Sequence, residues 1–463
     1  MSFDGQNVLD EYKSLIRNRA ISWESYIRFQ LVTAEDVDKI RAIDTDKARR
    51  VQIVERDAKG YAQLVLGDNG ILRKSSSENK LDVVQYILTW TGDLLDDVPS
   101  FANALLALLK PFEFLLQLLQ QMPDPRVPLL SASILTTLIA TSLTSSPDTP
   151  SAELKDALSK FYKYLSTVSK SGDQDQQDLA IRSYVALLRT QQAREIFWNM
   201  KEDTVSPLAA ILEAATGGAG EAGEYARASG AVFQGGVPLQ LLYHVLLVIW
   251  QLSFEETVAE EINDFCDIIL PVTVIIRNSI KEKIARVSLA FLANLVTKAP
   301  ENSLPPLLVT NVLPHLQTIQ SRYEGDPDIA QDFETIISAL TAFQLEQTTM
   351  SSYRMEVMTG HVRWSPPHRN ENFWKKHAYE LMQDIELIKR LSALLDSTDP
   401  QVLSVACNDI SYLVREGRDA PGSKRRWEEL EVKKKVMLHM ANDDPEVRYE
   451  ALKAVQMFLQ TAF

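Results

Sequence analysis

"DPQVLSVACNDISYL" (399–413) and "DPEVRYEALKAVQMF" (444–458) open on the same dipeptide, 45 residues apart. Counted from each Asp, apolar or small residues fall at +3, +7, +8, +11 and +14. They are Val402, Ala406, Cys407, Ile410 and Leu413 in the first stretch, and Val447, Ala451, Leu452, Val455 and Phe458 in the second. "DPRVPLLSASILTTL" from Asp124 keeps the frame with Val127, Ser131, Ala132, Leu135 and Leu138. "KEKIARVSLAFLANL" from Lys281 keeps it with Ile284, Ser288, Leu289, Leu292 and Leu295. "DPDIAQDFETIISAL" begins 45 residues after Lys281, at Asp326, and keeps Ile329, Phe333, Ile337 and Leu340, with Glu334 breaking the +8 position.

Each part of the frame has a physical reason. An Asp carboxylate accepts from the open N–H groups of a helix start. Pro is tolerated at the first helical position, where its missing N–H would have no partner. A small residue at +7 lets a neighbouring helix approach, and the other apolar positions form one stripe. The stripe alone fits any amphipathic helix. Its pairing with the Asp-Pro start and the 45-residue spacing points to helical repeats of the armadillo or HEAT kind, whose period is about 40–47 residues. The expected fold is therefore all-α: an armadillo/HEAT-like solenoid with a larger N-terminal domain and a smaller C-terminal helical domain joined by a hinge. Each repeat leaves a hydrophobic face for the next to cover.

Bulk composition agrees. A chain of 463 residues, 45% hydrophobic and 24% charged, is globular but too long for one ordinary core. The formal charge is −14, and all of it lies before residue 351, since residues 351–463 hold 17 basic and 17 acidic side chains. No basic footprint for nonspecific nucleic-acid binding results, and a simple electrostatic membrane anchor is disfavoured. The N-terminus shows no signal-peptide core. The most apolar stretch, 237–254, is interrupted by Gln240, His244 and Gln251, too polar for a spanning helix. Membrane association is expected only through a complex. Cys266 and Cys407 sit in apolar helical patterns and read as buried hydrophobes.

The repeat frame lapses at "QLEQTTMSSYRMEVMTGHV" (344–362), where polar residues cluster. This places an N-terminal solenoid at 1–345, a linker at 346–358 and a C-terminal repeat domain at 359–463. The other reading is an inter-helix loop inside one continuous solenoid.

One enzyme-like motif occurs. Gly218, Gly220 and Gly223 spell the dinucleotide fingerprint, which needs a strand before it and a helix after it. A helical pattern, "SPLAAILEAA", precedes it, and residues 217–236 hold seven of the 17 glycines. The stretch reads as a flexible insertion between repeat helices. "SGDQDQQD" (171–178) lacks the turn glycine and final glutamate of a calcium loop and reads as a polar turn. His361, His368 and His377 match no zinc spacing. No catalytic constellation, cofactor or metal is expected.

Two stretches are candidate contact surfaces. Trp364, Phe373 and Trp374 with Arg363, Arg369, Lys375 and Lys376 make an aromatic-basic group of a kind enriched at interfaces, or else aromatics that cap the second solenoid with solvated bases around them. The second is "REGRDAPGSKRRWEELEVKKK" (415–435). Arg415, Arg418, Lys424, Arg425 and Arg426 precede Trp427, and Ala420, Pro421 and Gly422 interrupt any helix. It reads as a basic loop between two repeat helices, either functional or simply solvated.

Four blocks in order, "ISWESYIRFQLVTAEDVDKI", "LQLLYHVLLVIWQLSF", "VRWSPPHRNENFWKKHA" and "DPQVLSVACNDISYLVRE…VMLHMANDDPEVRYEALKAVQ", resemble the H-subunit family of the vacuolar-type proton ATPase (V-ATPase). The resemblance spans nearly the whole chain. It implies a non-catalytic regulatory component of the ATP-hydrolysing peripheral sector, on the cytoplasmic side of the vacuole or another endomembrane and in the cytosol when detached. The N-terminal domain would dock on an E/G peripheral stalk. The C-terminal domain would meet the cytoplasmic part of the membrane-embedded a-subunit and, after the sectors separate, silence ATP hydrolysis at the catalytic head or rotor through an inhibitory loop. By position that loop falls on Arg415–Trp427. The family's Gly-Gly turn before "KKKVMLHM" is replaced here by "LEVKKK", so the loop carries over by place and not by identical residues. The rival reading is a cargo-binding armadillo adaptor outside the ATPase. Such adaptors carry repeated Trp and Asn ladders, whereas Trp23, Trp90, Trp198, Trp250, Trp364, Trp374 and Trp427 share no repeat frame.

Overall fold

A computed structural model describes residues 8–120, 124–145, 150–217, 233–234, 236–279, 281–323 and 325–461. Among the described residues the chain is helical nearly throughout. The exception is a two-residue antiparallel pairing, Phe233–Gln234 with Val237–Pro238. The chain divides into two units, Met1–Ala339 and Leu340–Phe463.

The frame read from sequence is the packing frame in full in three of its five copies; in the copy from Asp326 the half-buried Ile337 yields the core position to Ile336. Val127, Ser131, Ala132, Leu135 and Leu138 are buried, as are Ile284, Ser288, Leu289, Leu292 and Leu295. So are Val402, Ala406, Cys407, Ile410 and Leu413. The Asp residues cap as expected. Asp399 accepts from the Gln401 N–H at 2.9 Å, Asp444 from Glu446 at 2.8 Å, Asp326 from Asp328 at 3.1 Å and Asp124 from Arg126 at 2.9 Å. Three of these capping carboxylates are also held from an earlier helix or loop. Gln85 donates to Asp124 at 2.7 Å, Arg363 to Asp399 at 2.9 Å, and Arg286 donates to Asp326. The cap thus ties neighbouring repeats as well as ending its own helix.

In the larger unit the repeat helices form a ladder. Leu81–Asp97 packs on Arg126–Ser145, that on Gln174–Leu187, that on Leu239–Leu252, and that on Glu282–Lys298. Their starts at residues 81, 126, 174, 239 and 282 keep the repeat period except between 174 and 239. That one step is longer by about the length of the glycine-rich stretch 217–236.

Helix Leu239–Leu252 shows why an interior rung looks so apolar. It is covered on two sides and buries eight side chains, including Leu242, Val245, Leu246 and Ile249. The polar residues that interrupt it are matched by the preceding rung. His244 Nδ1 lies 2.6 Å from Asp178, Gln240 donates to the same carboxylate at 3.5 Å, and Gln251 donates to the Val185 carbonyl at 3.1 Å. Asp178 belongs to the polar stretch "SGDQDQQD", whose Asp173 caps helix Gln174–Leu187 by accepting from Asp175 at 3.0 Å.

Helix Arg126–Ser145 is long and apolar enough to cross a membrane by length and composition. The sequence reading passed over it in favour of 237–254. Its apolar side chains, among them Val127, Leu130, Ile134 and Leu138, are buried against the neighbouring rungs, which makes it a core helix.

The stretch 346–358, expected as a linker, is helical. It lies inside the single helix Pro327–Thr359, and the division between the units falls within that helix as well. Met350, Tyr353 and Val357, spaced three and four apart, enter the core of the smaller unit. Ser351, Ser352, Arg354 and Met355 face outward, so the polar cluster is one face of an amphipathic helix. Gly360, at φ +79°, ends the helix in the left-handed conformation that glycine adopts without a Cβ penalty.

In the smaller unit, helices Pro400–Glu416 and Pro445–Gln460 pack on one another and on Glu371–Gln383 and Val432–Leu438. The second copy of the frame departs from the first at one place. Leu452 is 50% exposed, and Tyr449 and Leu459 are exposed beside it. No later helix among the described residues covers that side. Replacing the enclosed Ala406 by Leu is expected to destabilise the chain by about 1–3 kcal/mol through overpacking. Leu452→Lys is expected to stay within about 0.5 kcal/mol of the parent. Denaturant unfolding of the two variants measures both, and an equal cost at the two sites would contradict the packing frame.

Candidate partner interface

The basic segment begins in the last turn of helix Pro400–Glu416 and ends in helix Ser423–Glu429. Its course is fixed at one residue of a neighbouring helix, Met382. Gly417 is buried where a Cβ would sit 2.5 Å from Met382 Cγ and 2.7 Å from the Leu413 carbonyl, so glycine is required for the close crossing. At the far end, Arg426 Nη1 donates to the Met382 carbonyl. Between the two clips Ala420 enters the core, and Gly422, at φ +74°, turns the chain into the next helix.

These constraints sort the predicted residues. Arg418 is 61% exposed and lies 3.7 Å from Asp419. Arg425 is 82% exposed and lies 2.6 Å from Glu429, and Lys424 is exposed beside it. Exposed pairs of this kind contribute about 0–1 kcal/mol, so a partner carboxylate could replace the intramolecular one at little cost. Arg415 is half-buried. Its Nε lies 2.7 Å from Glu416, its Nη2 lies 3.8 Å from Glu371, and its guanidinium sits over the Tyr412 ring. Arg426 is partly buried and occupied with Met382. Trp427, expected at the contact surface, is 2% exposed and stands edge-on to Phe458. It belongs to the core because it closes the basic segment down onto the last helix. Arg418, Lys424 and Arg425 remain as an exposed basic edge.

The second predicted surface is also corrected. Trp374 is fully buried, stacked on Tyr412 and edge-on to Tyr353, and Phe373 is buried beside it. Trp364 is half-buried under the Arg369 guanidinium, 4.7 Å from its ring centre. Along helix Glu371–Gln383 the buried set Phe373, Trp374, His377, Ala378 and Leu381 is an inward stripe. Lys375 is exposed on the outer face. Phe373 and Trp374 hold the smaller unit together, and only the half-buried Trp364 shares a surface with a base, Arg369.

The fingerprint glycines Gly218, Gly220 and Gly223 lie outside the described residues. The chain reaches them from helix Ser206–Ala215, where a dinucleotide site would need a strand. Cys407 and Cys266 are free thiols, and burial, with nearby carboxylates adding to it, pushes each up to about 12.

The sequence reading missed a buried polar cluster. His368 is fully buried, with Nδ1 2.8 Å from Asp409 and Nε2 3.1 Å from Glu356. Asn408 donates to the His368 carbonyl at 2.8 Å, and Lys453 donates to Asn408 at 2.9 Å. The available signal was Asp409 itself, a carboxylate directly before the apolar Ile410 of the repeat frame.

Trp427→Ala is expected to cost about 3–5 kcal/mol of stability. Arg418→Ala is expected to leave stability within about 0.5 kcal/mol. Equilibrium unfolding of the full chain checks the pair, and a stable Trp427→Ala variant would contradict the core assignment.

Two family models, each described as the H subunit of the V-ATPase, match residues 7–340 and 346–463. The V-type proton ATPase H subunit of Drosophila melanogaster is 29% identical over 469 residues, covering 98% of this chain and 90% of that protein. A probable V-type proton ATPase H subunit of Oryza sativa subsp. japonica is 25% identical, covering 95% of each. Among solved structures, a designed armadillo repeat protein aligns with 65% of this chain and 98% of its own at a TM-score of 0.37 and 13% identity.

Proposed function

This chain belongs to the V-ATPase H-subunit family, and we propose that it is a non-catalytic regulatory component of the pump's peripheral, ATP-hydrolysing sector. It serves coupled ATP-driven proton pumping while the sectors are joined and silences ATP hydrolysis when they part. The larger unit docks on the E/G stalk. The smaller unit meets the cytoplasmic part of the a-subunit in the assembled pump, and the catalytic head or rotor in the detached sector. The protein reaches the endomembrane only through the complex and is cytosolic with the detached sector.

The observation that carries this reading is the basic edge. Arg418, Lys424 and Arg425 stand exposed on a segment whose two ends are fixed at Met382. A preset edge loses little freedom on binding, which favours recognition by charge. Acidic surfaces of the head or rotor would meet it, with complementarity governing partner choice and encounter rate. The acidic larger unit would accept Lys- and Arg-rich stalk helices by the same logic. Switching requires that the smaller unit bind one partner better in each state, since a ligand indifferent to the two states shifts nothing. Any rearrangement between the units would have to pass through helix Pro327–Thr359, with 346–358 as the proposed hinge.

The test is ATP hydrolysis by the detached peripheral sector, measured with and without the full chain. The triple variant Arg418→Glu, Lys424→Glu, Arg425→Glu is expected to relieve inhibition at least severalfold, with added salt weakening the parent in the same direction. Arg426 is left in place because it holds the segment to Met382. Full inhibition by the folded variant would overturn the edge's role.

A further inference from the structure

The cluster around His368 joins three helices of the smaller unit through one ring. Glu356 comes from the end of helix Pro327–Thr359, His368 from the short helix Pro366–Arg369, and Asp409 from helix Pro400–Glu416. Both ring nitrogens face carboxylate oxygens, Nδ1 at 2.8 and 2.9 Å from Asp409 and Nε2 at 3.1 Å from Glu356. A neutral imidazole carries one N–H and one lone pair, so it can donate to only one of two carboxylates. With both carboxylates ionised, only the imidazolium satisfies both.

We infer that His368, in its charged form, is a clasp between Glu356 and Asp409 that holds the end of helix Pro327–Thr359 in the smaller unit and lets it loosen as the medium turns alkaline.

The surroundings fit a cation at this place. From the long helix, Glu356 and the Tyr353 ring, 5.4 Å away, face the imidazole. From helix Pro400–Glu416, Asp409 and Asn408 face it, and Asn408 also donates to Asp409 at 3.2 Å. From helix Pro445–Gln460 the charged pair Lys453 and Glu450, 3.1 Å apart, stands behind Asn408. On its own segment, Ser365 donates to Glu356 at 3.1 Å, and the Arg369 cation is turned over Trp364. Asp409 is fully buried, and burial pushes its carboxyl above the usual range, opposed by His368 and by the hydrogen bonds it accepts. Burial lowers His368, but the charge of Asp409 and its hydrogen bond, followed by those of Glu356, outweigh that and leave the imidazole raised. A raised histidine stabilises the fold fully below its unfolded value of about 6.5. That contribution is lost as pH climbs through the folded value. On deprotonation one nitrogen turns a lone pair toward a carboxylate. Asp409 is enclosed, whereas Glu356 is a quarter exposed and free to swing to water. The loosened element is therefore the helix end that carries Glu356. The inference needs no partner protein and stands independently of the proposed regulatory role.

Hydrogen–deuterium exchange of the full chain tests it, read over residues 350–359 at one pH below and one above the titration of the His368 ring, located by NMR, and corrected for intrinsic exchange. The parent is expected to lose protection several-fold at the higher pH. His368→Gln is expected to show low protection at both, and Glu356→Gln a much smaller pH response. Equal protection in the parent at both pH values would overturn the clasp, as would a His368→Gln variant that keeps the parent's response. Should His368→Gln fail to fold, NMR titration of the six histidines in the parent and in Glu356→Gln decides. A buried imidazolium that titrates above the ordinary histidine range and shifts in Glu356→Gln supports the clasp, and a His368 ring neutral throughout overturns it.

Discussion

The apolar stripe of each repeat helix must be covered by the next helix, and most features of this molecule follow from that constraint. A single rung such as Leu239–Leu252 buries residues on two sides and cannot be stable alone. Each fully enclosed Leu, Ile or Val contributes about 1.5–3 kcal/mol, set against the chain entropy lost on ordering. The polar groups of a rung must then be matched locally, because water is excluded. His244 and Gln240 use Asp178, and the capping aspartates Asp124, Asp326 and Asp399 are shared with Gln85, Arg286 and Arg363. Packing and polar pairing therefore select the same neighbours.

Much of this could be read from sequence, and the failures share a cause. The Asp-Pro starts and the +3, +7, +11 positions identified caps and core, because cap chemistry and helical period are local properties. Asp178 looked like part of a polar turn, since its partner His244 lies 66 residues away. The clustered Ser and Thr of 346–358 suggest irregular backbone, whereas the stretch is helical; its place as the linker between the units is a separate matter. Its three-and-four spacing of Met350, Tyr353 and Val357 was the better guide, since a helix is amphipathic by position and not by average composition. In the aromatic-basic block the second of the two readings, packed aromatics with solvated bases, fits Phe373, Trp374 and Lys375. Trp374 and Lys375 are adjacent in the chain but point to the core and to solvent. The place of the basic segment was legible from its glycine and proline. Its sorting into exposed and pinned bases was not, because Met382, which fixes it, lies on another helix.

A molecule whose apolar interior is committed to stacking has its edges left for recognition. The chain belongs to the V-ATPase H-subunit family, and the role proposed for it is to act by what it touches. The basic edge satisfies two requirements of such a contact. Its backbone is preset by core anchors, Gly417, Ala420 and Trp427, and its charges sit in weak, exchangeable pairs. The buried His368 clasp adds a charged joint in the same unit, the kind of group whose protonation couples to structure.

The most direct measurement of the central claim, that the Arg418–Arg425 edge is the working contact, is site-specific photo-crosslinking. A photoreactive residue is placed at position 418 of the full chain, and adducts are identified in the assembled pump and in the detached ATPase sector. The account predicts an adduct with a head or rotor component in the detached sector that is absent from the assembled pump. Identical adducts in both states, or none in the detached sector despite full inhibition, would contradict it.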